Sequence, residues 1–265
     1  MVLKISNKVK ILYFSLCFLY IYIIFKWLIY KKIFPKKSKS RKNIIYKNNT
    51  TLIEQRNTHI DSHYVKNSRE YWEKRYATGG NSGSGSYNYL AKFKAEIINN
   101  FVNKHNINTV IEWGSGDCNQ LSYANYKNYI GYDVSQTAIN ICLKKFKNDS
   151  TKKFIHLTNN FVNENKADLT LSLDVIYHLV EDNVFDLYMN NLFNSSNKFV
   201  CIYSSNSNIG GSMHVRHRKF TDWIDKYMSN NWKLIDYIPN KYHLKQKNFQ
   251  ETSFADFYFY EKIVS

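Results

Sequence analysis

A chain of 265 residues holds one domain of ordinary size plus an appendage. Its formal charge of +16 is lopsided: residues 1–66 carry 14 Lys/Arg against Glu54 and Asp61, while residues 67–265 carry 23 basic and 19 acidic groups. A nucleic-acid binder concentrates its basic excess on the folded part, where it neutralises phosphates. This distribution therefore counts against nucleic acid as the partner.

The first predicted element is an apolar stretch at 11–30, "ILYFSLCFLYIYIIFKWLIY". As a helix it is long enough to cross about 30 Å of hydrocarbon. Its one charge, Lys26, lies near one end and can snorkel to the headgroups. No small-residue cleavage site follows, so the stretch reads as an uncleaved, single-pass membrane anchor within residues 1–32. Lys4, Lys8 and Lys10 precede it, and the larger cluster Lys31, Lys32, Lys36, Lys37, Lys39, Arg41 and Lys42 follows. That asymmetry places the C-terminal part in the cytoplasm. The cysteines agree, because Cys118, Cys142 and Cys201 show no disulfide-like spacing. Residues 33–66 are polar, basic and without periodicity, and read as a tether.

Order is expected to begin near Ser68, an N-cap for "REYWEKRYA". The glycine-rich "GGNSGSGS" (79–86) is either a flexible linker or a loop folding over a ligand. Leu90, Phe93, Ile97 and Phe101 recur at helical spacing. Strands are then predicted at 109–113, 129–133, 154–157, 168–173 and 198–203, with helices near 136–147, capped by Ser135, and 182–193. Strands separated by helices mean βαβ units and a parallel sheet. Beyond a helix at 221–228, strands at 232–238 and 253–263 lack a helix between them and are expected to pair antiparallel. The fold class is thus α/β, a Rossmann-like, seven-strand, mostly parallel sheet with helices on both faces, spanning 67–265.

The chemistry concentrates in three places. "TVIEWGSGDCNQ" (109–120) ends a strand in Glu112 and follows it with Gly114 and Gly116. A dinucleotide site wants a third glycine where Asn119 stands, which argues against NAD or FAD. Two glycines below an acid suit a ligand with a cationic amino-acid end and no phosphate. The second strand ends in Asp133, placed to take both hydroxyls of a ribose. The fourth, "ADLTLSLDVIYHLVED" (167–182), leads into Asp174, with His178 four residues on.

On these motifs the chain resembles the class I S-adenosylmethionine-dependent methyltransferases. "VIEWGSGDCNQ" looks like their glycine-rich first motif, "YIGYDVS" like their ribose-binding acid, and "DLTLSLDVIYHLVED" like the motif on their fourth strand. Cys118 departs from the pattern, standing where a third glycine is common. The resemblance implies S-adenosyl-L-methionine as cofactor, with Gly114 and Gly116 facing the methionine portion and Glu112 orienting its ammonium. Asp133 would hold the ribose, Val134 would lie against the adenine, Thr158–Asn160 would meet its edge, and Asp174 would border the sulfonium.

His178 is the first candidate for a base that deprotonates the acceptor; the alternative is a histidine packed on Tyr177. The loop "NSNIGGSMHVRHRKFTDW" (206–223) supplies the second group, His214, Arg216 and Arg218, as substrate contacts for a carboxylate or phosphate. The alternative there is a solvated charge cluster. His214 and His217 are close, but nothing completes a metal site. The expected activity is methyl transfer to an O or N acceptor on a small-molecule, sugar or lipid-linked substrate at a membrane. An RNA or cap methyltransferase and a non-catalytic binding protein of the same fold stand as alternatives.

Overall fold

The computed structural model describes residues 67–159, 161–243 and 252–263. The predicted anchor at 11–30, the tether at 33–66 and Asn160 lie outside the described residues. Among the described residues no helix is long and apolar enough to cross a membrane.

The chain opens with α1 (Ser68–Ala77), whose cap is Asn67 rather than Ser68: its side chain accepts from the Glu70 amide. The glycine-rich segment follows, holding one short 3-10 turn at Ser84–Ser86. Helix α2 (Asn88–Lys104) leads into the alternating part: β1 (Thr109–Trp113), β2 (Asn128–Asp133), α3 (Gln136–Lys145), β3 (Lys152–His156), β4 (Ala167–Leu173), α4 (Asp182–Asn194) and β5 (Ser196–Ser204). Ser135 caps α3 as expected, accepting from the Ala138 amide at 3.1 Å. A small hairpin, β6 (Gly211–Ser212) with β7 (Val215–Arg216), interrupts the loop before α5 (Phe220–Tyr227), β8 (Trp232–Ile238) and β9 (Asp256–Lys262).

Seven strands form one sheet in the order β3-β2-β1-β4-β5-β9-β8. The first five are parallel; β9 runs antiparallel between β5 and β8. The predicted pairing of the last two strands holds, and β9 also closes on β5.

Strand residues alternate between two cores, as a two-residue side-chain period requires when both faces are covered. Val110, Leu169, Leu171 and Cys201 pack with Phe93, Ile98 and Phe101 of α2 and Cys142 of α3. Ile111, Val200 and Ile202 pack with Met189 and Leu192 of α4 and Phe220 and Ile224 of α5. The strand order reverses direction between β1 and β4. Their carboxyl ends flank the crevice where doubly wound sheets bind ligands.

One expectation is overturned. Cys118 and Cys142 form a disulfide with Cα atoms 5.6 Å apart. The spacing gave no sign because a turn and a helix 24 residues apart meet only in the fold. The cysteines therefore no longer support a cytoplasmic placement, since disulfides persist in oxidising compartments.

Candidate functional site: a carboxylate-lined crevice under a glycine-serine strap

The turn after β1 is built by its backbone. The Gly114 and Ser115 amides both donate to the Tyr132 carbonyl of β2, at 2.7 and 2.9 Å. Gly114 and Gly116 have φ of +89° and +57°, a region that penalises other residues. A Cβ at Gly114 would stand 2.5 Å from Val175 Cγ2, and one at Gly116 2.3 Å from Ser82 Oγ. The missing side chains thus admit Val175 and Ser82. Both glycines also line the crevice, where the sequence placed them.

Asp133, the last residue of β2, ties two turns together. Its Oδ2 accepts from the Gly116 amide and its Oδ1 from the Ser135 amide, each at 2.8 Å. Each oxygen keeps a further acceptor site. Burial raises its pKa to about 6 against the opposing pull of these amides. Glu112 is buried too, and accepts from the Tyr129 hydroxyl at 2.6 Å. Burial lifts its pKa to about 7, with the Tyr129 bond and the Lys94 charge pulling it down.

The glycine-rich segment lies over this turn. The Ser82 amide donates to Asp117 Oδ2 at 2.9 Å and the Asp117 amide to Ser82 Oγ at 3.0 Å. Tyr87 donates its hydroxyl to the same carboxylate oxygen at 2.7 Å, and Asn119 Nδ2 donates to the Ser86 carbonyl. Of the two readings open for 79–86, the loop over a site describes it. A cavity of about 720 Å3 results, lined by Arg69, Trp72, Ser82 and Ser86 on one side and by Glu112, Gly114, Gly116, Asp133, Val134, Thr158, Asn159, Asp174 and His178 on the other.

Asp174 has φ of +61°, so the chain turns sharply off β4 there. Its Oδ1 accepts from the Tyr177 hydroxyl at 2.9 Å and its Oδ2 from Lys94 Nζ at 2.6 Å. His178 Nδ1 stands 2.8 Å from the His214 carbonyl oxygen. A carbonyl only accepts, so the proton is on Nδ1 and Nε2 carries the lone pair. Burial lowers the His178 pKa to about 4 and keeps the ring neutral. Its edge meets Trp72 at 4.8 Å, and His214 stacks between it and Tyr71 at 5.6 and 4.6 Å.

The predicted substrate arginines are engaged elsewhere. Arg216 donates to the Val180 carbonyl, and Arg218 to the carbonyls of Leu179 and Val180; both pair with Asp182. They clamp the 179–182 turn behind His178, and neither they nor His214 line the cavity. Among the described residues no group of three His, Cys, Asp or Glu is placed to hold a metal ion.

Sequence reasoning missed Lys94, Trp72 and Arg69, which donates to the Leu157 carbonyl. Lys94 had a signal: it sits four residues after Leu90 and four before Ile98, on the apolar face of its helix.

The crevice fits an adenosyl amino acid. Buried Ser115 Oγ and Glu181 Oε2 lack hydrogen-bond partners among the described residues, and both residues line the cavity. Glu112 and Asp133 carry carboxylates at the ends of adjacent strands, one suited to an ammonium and the other to a diol.

No protein-family model and no curated protein sequence matches the chain. Solved structures do. The N-methyltransferase NodS from Bradyrhizobium japonicum WM9, in complex with S-adenosyl-L-homocysteine, aligns with a TM-score of 0.55 at 11% identity, over 74% of this chain and 99% of its own. Magnesium protoporphyrin IX methyltransferase (ChlM) from Synechocystis PCC 6803, with bound S-adenosylmethionine, gives 0.51 at 11% identity, over 83% and 100%. The methyltransferase domain of bacterial CtHen1 gives 0.51 at 14%, over 64% and 97%. The chain has the fold of the class I S-adenosylmethionine-dependent methyltransferases.

Proposed function

We propose that the protein is an S-adenosylmethionine-dependent methyltransferase acting on an O or N acceptor of a small-molecule, sugar or lipid-linked substrate. The observation that carries the reading is the single cavity shared by Glu112, Asp133, Asp174 and a neutral His178. Bound S-adenosylmethionine supplies an electrophilic methyl group. Glu112 holds the ammonium at the amino-acid end, and Asp133 uses its two spare acceptor sites on the ribose hydroxyls. Val134, Thr158 and Asn159 border the adenine. The strap and Trp72 exclude water and hold the acceptor in line, where positioning supplies most of the rate.

His178 acts as the base. The His214 carbonyl holds Nδ1–H and so fixes the tautomer that leaves the lone pair on Nε2, on a residue that lines the crevice. Arg216 and Arg218 hold the turn that carries it. Small or uncharged acceptors are favoured, because Arg69, the arginine that lines the cavity, is committed to the Val134 and Leu157 carbonyls. The near-neutral charge of 67–265 supports this choice over RNA. The Lys-flanked apolar stretch at 11–30 supports attachment to a membrane, and the flanking lysines alone now speak for a cytoplasmic face.

His178→Ala tests the base. It should lower kcat by about 100-fold or more while leaving S-adenosylhomocysteine affinity within about twofold. Unchanged turnover would remove His178 from the chemistry.

A further inference from the structure

Lys94 is fully buried, with 0% of its side chain exposed, yet it lines the crevice. Its ammonium carries three N–H donors. One is spent on Asp174 Oδ2 at 2.6 Å, and the cation lies 5.3 Å from the centre of the Tyr203 ring. No other acceptor for it is found among the described residues. A buried ammonium is costly unless its donors are used. A single carboxylate leaves this one under-used, in a cavity that Glu112, Gly114 and Ser86 also line.

We propose that Lys94 binds the carboxylate of the cofactor's amino-acid end, an inference that rests on the function proposed above. Acidic and basic groups alternate there: the carboxyl groups of Glu112 and Asp174 share the crevice lining with the buried Lys94. The amino-acid end brings one ammonium and one carboxylate. The ammonium satisfies the acids, and the carboxylate takes the unspent Lys94 donors. The carboxylate is the cofactor's only anionic group, so it is the one part of the ligand this cation can recognise. Lys94 also draws Asp174 toward itself, which places the Tyr177–Asp174–Lys94 chain behind the methionine portion.

The test compares two ligands that differ only in that carboxylate, S-adenosylmethionine and its decarboxylated form. Each is titrated calorimetrically into the full-length protein in mild detergent. Wild type should prefer the carboxylated ligand by about 10- to 100-fold, the range for a hydrogen bond between charged groups. In Lys94→Met that preference should collapse to about twofold or less, and Lys94→Arg should restore part of it. Because Lys94→Met leaves Asp174 without its cation, Lys94→Met/Asp174→Asn is measured beside it and should also show no preference.

A merely structural lysine would weaken both ligands by the same factor and leave the ratio intact. That result would overturn the assignment. A folded wild type that binds neither ligand would instead refute the proposed function on which it rests.

Discussion

Ser82 and Asp117 are bonded to each other twice, amide to carboxylate at 2.9 Å and amide to hydroxyl at 3.0 Å, across 35 residues of sequence. This reciprocal pair joins the strap to the glycine turn. It also explains Gly116, where any Cβ would collide with Ser82 Oγ. The strap and the turn thus behave as one unit, and the crevice is shaped by both.

Asp117→Ala is therefore expected to free the strap. It strips the partner from the Ser82 and Asn119 amides and the Tyr87 hydroxyl. Leaving such groups unpaired costs roughly 2 kcal/mol or more. Limited proteolysis should show new cleavage within 79–87, together with weaker S-adenosylhomocysteine binding. Cleavage unchanged from wild type would separate the strap from Asp117.

The pH behaviour follows from Glu112. Its folded pKa of about 7 lies above its ordinary 4.5, because burial opposes the charge. A group raised in this way contributes stability below about pH 4.5 and loses it as the pH climbs through 7. Asp133 acts in the same sense between 3.8 and about 6. His178 acts oppositely: its contribution is present above 6.5 and is lost as the pH falls through about 4. From about pH 6.5 to 8 Glu112 remains the falling component. The Tm of ligand-free protein should decline less there in Glu112→Gln than in wild type. A bound ammonium favours the carboxylate form, so wild-type affinity should rise toward pH 8, by at most about tenfold per unit below 7. Parallel profiles for wild type and Glu112→Gln would contradict this.

The disulfide gives a chemical prediction. Alkylation of denatured, unreduced protein should modify Cys201 and spare Cys118 and Cys142, and reduction should expose both. Cys142→Ser should lower stability by ~2–4 kcal/mol, as expected for opening a loop of this size. Full alkylation of Cys118 and Cys142 without reductant would show the bond absent in the isolated protein.

The sequence made the sheet legible because period and burial agree there. The ends of β1 and β8 match the predicted 109–113 and 232–238 residue for residue. Glu112, Asp133 and Asp174 were visible as acids ending strands. Lys94 stood on the apolar face of its helix, but a lysine there is ordinarily read as snorkelling to solvent, and only the fold brings it to Asp174. Arg216 and Arg218 misled for the converse reason. Local charge density cannot reveal that the carbonyls of Leu179 and Val180 consume it. The β6–β7 hairpin, with two residues in each strand, is too short to leave a periodic signal.

Cofactor binding by Asp133 and the turn it braces underlies the proposed function. Calorimetric titration of S-adenosylhomocysteine into the full-length protein, beside Asp133→Ala, tests it most directly. Wild type should bind at micromolar affinity and the variant should lose that binding, with both proteins folded by circular dichroism. Equal binding by the two would contradict the placement, and no binding by folded wild type would contradict the function.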